Sequence, residues 1–288
     1  MSPVAGRLFG SVPPSAYRHL PVELRAPARQ WLRTWEPGDI GYVPVPPVPA
    51  AGERAGPPDF VLAGAADALG EWWMGRIADH PEVVPHRTLH SGAGFFARFG
   101  TEAFGPDDVA RFGALFPRRP GRVAGHWSPD ALSYPWVAPL LAEAAPDARI
   151  LVLVRDPVDQ LRAALERTAD ERAPHVGSNL ADAVDRGYVG EQLVRLHEWF
   201  PPSQVLVLQL ERCRRDPDGA LARTFSFLGI DDTYRTRPDL PPAEPVRDPL
   251  PPATLARLAD LYAADVAALA ELVPDLDLAL WPSVVPPR

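Results

Sequence analysis

Lysine is absent from this sequence, and all 29 of its basic residues are arginine. Chemistry that needs a lysine amine, whether a Schiff base or a lysine clamp on a phosphate, is therefore excluded. Cysteine is nearly absent. The one thiol, Cys213, cannot close an intrachain disulfide and has no partners for a zinc site, which points to the cytoplasm. No apolar run is long enough to span a bilayer, and the N-terminus lacks the charged start and apolar block of a signal peptide. The net charge of −8 argues against nucleic acid as a general partner. Walker A, GxSxG and HExxH patterns are all missing, and the histidines and acids show no metal-ligand spacing. A standard NTPase, a standard serine hydrolase and a zinc hydrolase are thus unsupported, and no metal is expected.

What is present is enough apolar residue, 46% of 288, to bury a sizeable core. Residues 1–58 read as an extension. In it, Leu20, Leu24, Trp31, Leu32 and Trp35 have helical spacing, and Tyr42–Pro58 is a proline-rich linker. Residues 59–288 read as the main domain.

That domain is organised around Ile150–Leu165, ILVLVRDPVDQLRAAL. Five apolar residues, mostly β-branched, describe a strand buried on both faces of a parallel sheet. Asp156 suits the cap of the following helix, and Pro157 suits its first turn, where an N–H has no intrahelical partner. Arg155 is left at the carboxyl end of a central strand, the place where open α/β sheets bind ligands. Two readings stand there. Arg155 is either an anion ligand beside a helix start, or an arginine paired with Asp156, Asp159 or a neighbouring carboxylate.

Further strands are expected at Asp59–Gly64, Arg122–Gly125 and Val205–Leu210. Helices are expected from the turn at Ala65–Glu71 to about His80, at Pro106–Phe116, Pro135–Ala145, Gly190–Phe200, Pro217–Leu228 and Pro252–Val273. Gly229 is placed as a helix C-cap, Trp281 as an anchor of the tail, and Asp170–Asn179 as a flexible stretch. Strands alternating with helices predict an α/β fold with a doubly wound parallel sheet and flanking helices.

In order and spacing, several segments resemble the sulfotransferase family, in particular its bacterial and glycan-type members. They are DFVLAGAADALGEWWMGRIADHPEV, GRVAGHWSPDALSYPW, PDARILVLVRDPVDQLRAAL, the stretch from Gly187 to Ile230, and LADLYAADVAALAELVPDLDLALW. The resemblance runs from about Asp59 to Trp281. It implies a nucleoside-kinase-like, P-loop-type fold and 3′-phosphoadenosine 5′-phosphosulfate as cofactor. It also implies, for an active member, a small-molecule or glycan acceptor.

Position by position, the resemblance also exposes departures. In the family the loop after the first strand carries a glycine, two residues, then lysine, a small residue, glycine and two hydroxyl residues. Here Gly64 opens the loop, Asp67 stands at the lysine and Ala68 at the small residue. Leu69 stands at the second glycine, and Gly70 and Glu71 stand at the hydroxyls. The 3′-phosphate element retains Arg155 but has Ala163 at its serine. A second family lysine falls at Trp127, and the family's catalytic glutamate falls near Thr88. Asp67 is expected to cap its own helix, so that the chain supplies its own anion. His90 and His126, on loops expected to face the cleft, are the residues able to stand in as general base. Two functions follow. One is a non-catalytic or impaired homologue that binds a ligand or protein partner. The other is an active sulfotransferase with a rearranged site.

Overall fold

The structure is a computed structural model that describes residues 44–64, 68–84, 95–169, 180–236 and 251–284. Phe60–Gly64 forms β1, Val83–Val84 β2, Val123–Ser128 β3, Arg149–Val154 β4 and Val205–Gln209 β5. They make one sheet of order β2-β3-β1-β4-β5, in which every pairing is parallel. This is the expected α/β architecture. The uninterrupted apolar runs FVLA and ILVLV sit at its centre with essentially no exposure, as strands covered on both faces must.

Helix α1 (Ala68–Ala78) follows β1, and α2 (Pro106–Gly113), α3 (Asp130–Ser133) and α4 (Val137–Ala144) lie before and after β3. Helix α5 (Pro157–Ala169) follows β4, and α6 (Leu180–Asp185) and α7 (Val189–His197) lead to β5. Helices α8 (Leu210–Arg215), α9 (Pro217–Leu228) and α10 (Pro252–Leu272) complete the order. No helix among the described residues is long and apolar enough to cross a membrane.

The chain divides into two compact units. The described residues between 44 and 154 and between 194 and 236 form one, which holds the whole sheet. Its core joins Phe60, Leu62, Leu151, Leu153, Leu206 and Leu208 to Trp73 and Ile77 of α1 and Leu221 and Phe225 of α9. The described residues between 155 and 193 and between 251 and 284 form the other. There Tyr262, fully buried on α10, donates its hydroxyl to the Val184 carbonyl at 3.1 Å, and Asp265 accepts from the Gly190 and Glu191 amides.

Three local expectations change. β3 runs on to Ser128, so His126 and Trp127 are strand residues rather than the loop closing the strand. His126 can sit in a buried strand because its ring packs edge-on against Phe112 and Phe116, at 5.4 and 5.6 Å between centroids. The helix expected at Pro135–Ala145 is α4, starting at Val137, and a separate short helix, α3, precedes it where Tyr134 and Trp136 stack at 4.7 Å and Trp136 Nε1 donates to the Phe96 carbonyl. The end of the proline-rich stretch is tied to the sheet unit, since Arg54 bridges Arg118 and Arg118 reaches the Gly56 carbonyl. The helix expected at Leu20–Trp35 and the flexible stretch at Asp170–Asn179 lie outside the described residues.

Gly64 ends β1 at φ +81°, and a Cβ there would stand 2.6 Å from the Leu153 carbonyl oxygen on the paired strand. Gly229, the C-cap of α9, has φ +72°, but its Cβ would meet only the mobile end of Arg149 at 3.1 Å. Gly229→Ala is therefore expected to cost about 1 kcal/mol in urea denaturation. Gly64→Ala, against fixed backbone, should cost about 3 kcal/mol. Equal costs would show that the β1 turn is not held by β4.

Candidate functional site

Parallel pairing puts strand ends together. Gly64 pairs with Leu153 of β4, Leu62 with Trp127 and Ala63 with Ser128 of β3. The carboxyl ends of three adjacent strands thus share one edge, and Arg155 is the residue after β4.

Within the sheet unit, Gly64 turns the chain off β1, and Ala68, Leu69, Gly70 and Glu71 form the first turn of α1. Leu69 points into the core at 3% exposure. Glu71 is exposed, and no hydrogen bond or ion pair holds its carboxylate among the described residues. It is not seen to tie down the helix amides among the described residues, and Asp67, also expected to cap this helix, lies outside them. His90 and Thr88 lie outside them too. His126 does not face a cleft: it is 3% exposed, inside the phenylalanine cluster around α2.

At the end of β3, Trp127 turns toward the core shared by α1 and α9, and Ser128 toward the opposite face. The Trp127 Nε1 and the Ser128 hydroxyl are both enclosed without a hydrogen-bond partner among the described residues. So are Nε1 of Trp72 and Nε1 of Trp73 on α1. Sequence reasoning noted Trp127 only as the loss of a lysine. It had no signal for the unmet donors, because an indole in a sequence does not reveal whether its N–H finds an acceptor.

In the second unit, Arg155 is 3% exposed and Asp156 is 1% exposed. Asp156 caps α5 as the Asp-Pro pair implied: one carboxylate oxygen accepts from the Val158 amide at 2.9 Å and the Asp159 amide at 3.3 Å. Its other oxygen accepts from the Ser283 amide at 3.1 Å. That bond, with Trp281 buried at 1% exposure, fastens the C-terminal segment as expected for Trp281. Burial pushes the Asp156 carboxyl above its ordinary range and the Asp159 charge adds to this, against the three amide bonds. Ala163 is buried on α5 and offers no hydroxyl. Burial, with Glu211 nearby, raises the Cys213 thiol, which leaves it an inert core group rather than a nucleophile.

The chain matches the model of the sulfotransferase family over residues 70–234, more than half its length. A sulfotransferase from Alicyclobacillus acidocaldarius shares 24% identity over 78% of this chain and 98% of its own, with TM-score 0.59. The sulfotransferase domain of the Synechococcus PCC 7002 olefin synthase shares 15% identity over 78% and 98%, with TM-score 0.44. A mouse sulfotransferase complexed with PAP shares 16% over 72% and 66%, with TM-score 0.37. No curated protein matches the chain.

Because Asp156 holds its proton more tightly folded than unfolded, it adds stability as the pH falls from its raised folded pKa toward the ordinary 3.8. Asp156→Asn removes that dependence. The melting temperature of the wild type relative to Asp156→Asn should therefore rise on acidification through the carboxylate range. A constant difference would place the Asp156 carboxyl in water.

The parallel sheet, its order of elements and the family match agree, and the chain belongs to the sulfotransferase family.

Proposed function

We propose that this chain is a binding homologue of the sulfotransferases, whose phosphosulfate-holding loop no longer takes that cofactor. The observation that carries the reading is the first turn of α1. There an exposed acid, Glu71, stands where the family has a hydroxyl, and the sequence puts a second acid, Asp67, at the lysine. Like charges about 4 Å apart cost roughly 4 kcal/mol at an effective dielectric near 20, and a lysine would have contributed with the opposite sign. Two further substitutions support it. Trp127 supplies an uncharged donor in place of a cation, and Ala163 supplies none in place of a serine. The residues present do not fit a phosphosulfate, so no transfer step is derived through it. The family match itself begins at Gly70, past Gly64–Leu69.

A working sulfotransferase with a rearranged site is the second reading, favoured by the buried Arg155 kept at the end of β4. Its acceptor would be a hydroxyl or amine of a small molecule or glycan. Calorimetric titration with adenosine 3′,5′-bisphosphate separates the two. The binding homologue should give no heat up to millimolar ligand, and no transfer from the phosphosulfate to phenol, amine or sugar acceptors. The quadruple change Asp67→Lys, Leu69→Gly, Gly70→Thr and Glu71→Thr should restore nucleotide binding before any turnover. Robust turnover by the unmodified chain, lost in His90→Ala, would establish the second reading. His126→Ala is a poor test, since it empties a packed site between Phe112 and Phe116.

A further inference from the structure

The proline-rich stretch ahead of β1 has a property that the cofactor loop does not explain. Residues 44–49 read Pro-Val-Pro-Pro-Val-Pro. Each of the six is restricted, because a proline has its φ fixed and a residue before a proline is held extended. None belongs to a helix, strand or turn, and none makes a hydrogen bond to the described residues. A solvated, extended backbone of this kind is a polyproline II helix, which repeats every three residues. On that repeat Val45 and Val48 share one ridge, and Pro46 and Pro49 share the next. Val45 is 81% exposed and Val48 93%, more than any other large apolar side chain among the described residues. Pro47 and Pro49 are exposed too, while Pro44 and Pro46 are half-buried.

The stretch is held at its foot. The Glu53 carboxylate accepts from the Ala50 amide at 2.9 Å, and the Glu53 amide donates to the Ala50 carbonyl at 2.9 Å. Gly52, at φ +84°, makes that turn possible. Arg54 then pairs antiparallel with Arg118 through backbone bonds of 2.9 and 3.0 Å, and Arg118 holds Asp59 just before β1. Two exposed arginines, Arg54 and Arg119, stand on this stem, and no acid among the described residues pairs with either. Glu53, the acid beside Arg54, is tied to the Ala50 amide.

We infer that Val45–Pro49, VPPVP, is a docking motif for a partner protein whose groove is lined by aromatic side chains and rimmed by acids. Its two Val-Pro steps are three residues apart, so both present the same pair of ridges, as segments read by aromatic-lined grooves do. A chain already held extended loses little conformational freedom on docking. The acids of the rim would face Arg54 and Arg119, in a chain whose net charge of −8 otherwise repels an acidic partner. The motif is separate from the cofactor loop, so the inference stands whether or not that loop takes a nucleotide.

Two ¹⁵N-labelled domains with aromatic, acid-rimmed proline-binding grooves, one SH3 and one WW, serve as probes and are titrated with the unlabelled full chain. The groove tryptophan indole peak of at least one should move, with Kd below about 1 mM. Val45→Asp with Val48→Asp should weaken binding at least tenfold, and so should Pro46→Ala with Pro49→Ala. The two valines are exposed, so the melting temperature of their double variant should match the wild type, which separates lost docking from lost fold. Raising salt from about 0.05 to about 0.5 M should weaken binding severalfold. If neither groove responds at about 1 mM chain, or if binding survives both double changes, the inference is overturned. Binding indifferent to salt overturns the acidic rim. Sedimentation of the chain alone tests the other occupant: a dimer lost in Val45→Asp with Val48→Asp would put a second copy on the motif, and overturn the inference of a foreign groove.

Discussion

Everything at the candidate site depends on β1 being held between β3 and β4 in parallel. The three strands are far apart in sequence, yet Phe60 to Gly64 is paired on both sides at once. Burying a Val, Leu or Phe side chain contributes about 1.5–3 kcal/mol, and Phe60, Val61 and Leu62 are each fully buried. Strand ends fixed this firmly leave the following loops little choice of position. Gly64 must turn sharply beside the Leu153 carbonyl, and the chain can then enter only α1. Parallel pairing, not any one ligand contact, creates the edge.

At the β4 end, the protein answers the problem of a helix start with its own carboxylate. Asp156 satisfies two amides of α5 and also the Ser283 amide, so a single side chain ties a helix to the C-terminal segment. Three amide donors offset the cost of burying it only in part, which is why its carboxyl is still raised. Glu71 at the start of α1 makes no such bonds among the described residues and is exposed. Asp156 stands before the first turn of α5 and is buried, whereas Glu71 stands inside the first turn of α1 and is exposed, so only Asp156 is a structural group.

Much of the fold was legible because burial on both faces leaves a strong mark. ILVLV followed by Asp-Pro could only be a central strand running into a capped helix, and the structure has both. The C-cap at Gly229 and the buried Trp281 were legible for the same kind of reason, a special backbone position and a large apolar side chain. The extent of β3 was not. His126 and Ser128 are polar, and only tertiary contacts with Phe112 and Phe116 show that His126 belongs inside. The break between α3 and α4 was equally hidden, since it depends on Tyr134 stacking on Trp136 and on a bond to Phe96 across the chain. At the candidate site, what a residue type cannot offer, such as a hydroxyl at Ala163, was plain. The state of the indole donors was not, because satisfaction is a property of neighbours.

The difference between what the family resemblance preserves and what it changes has a physical cause. A position such as Leu151 or Phe225 is enclosed on all sides, and losing its bulk would cost several kcal/mol in a packed core, about 2–5 for a leucine cut to alanine. Selection for folding alone holds such positions. A ligand position at the strand edge carries no comparable folding penalty once its ligand is gone. Leu69, at the start of α1 and 3% exposed, is of the first kind. A residue recruited into packing gains stability from its new role, so return to the earlier one carries a cost that grows with burial. Trp127 is drawn in likewise at the end of β3, with its ring packed against the core.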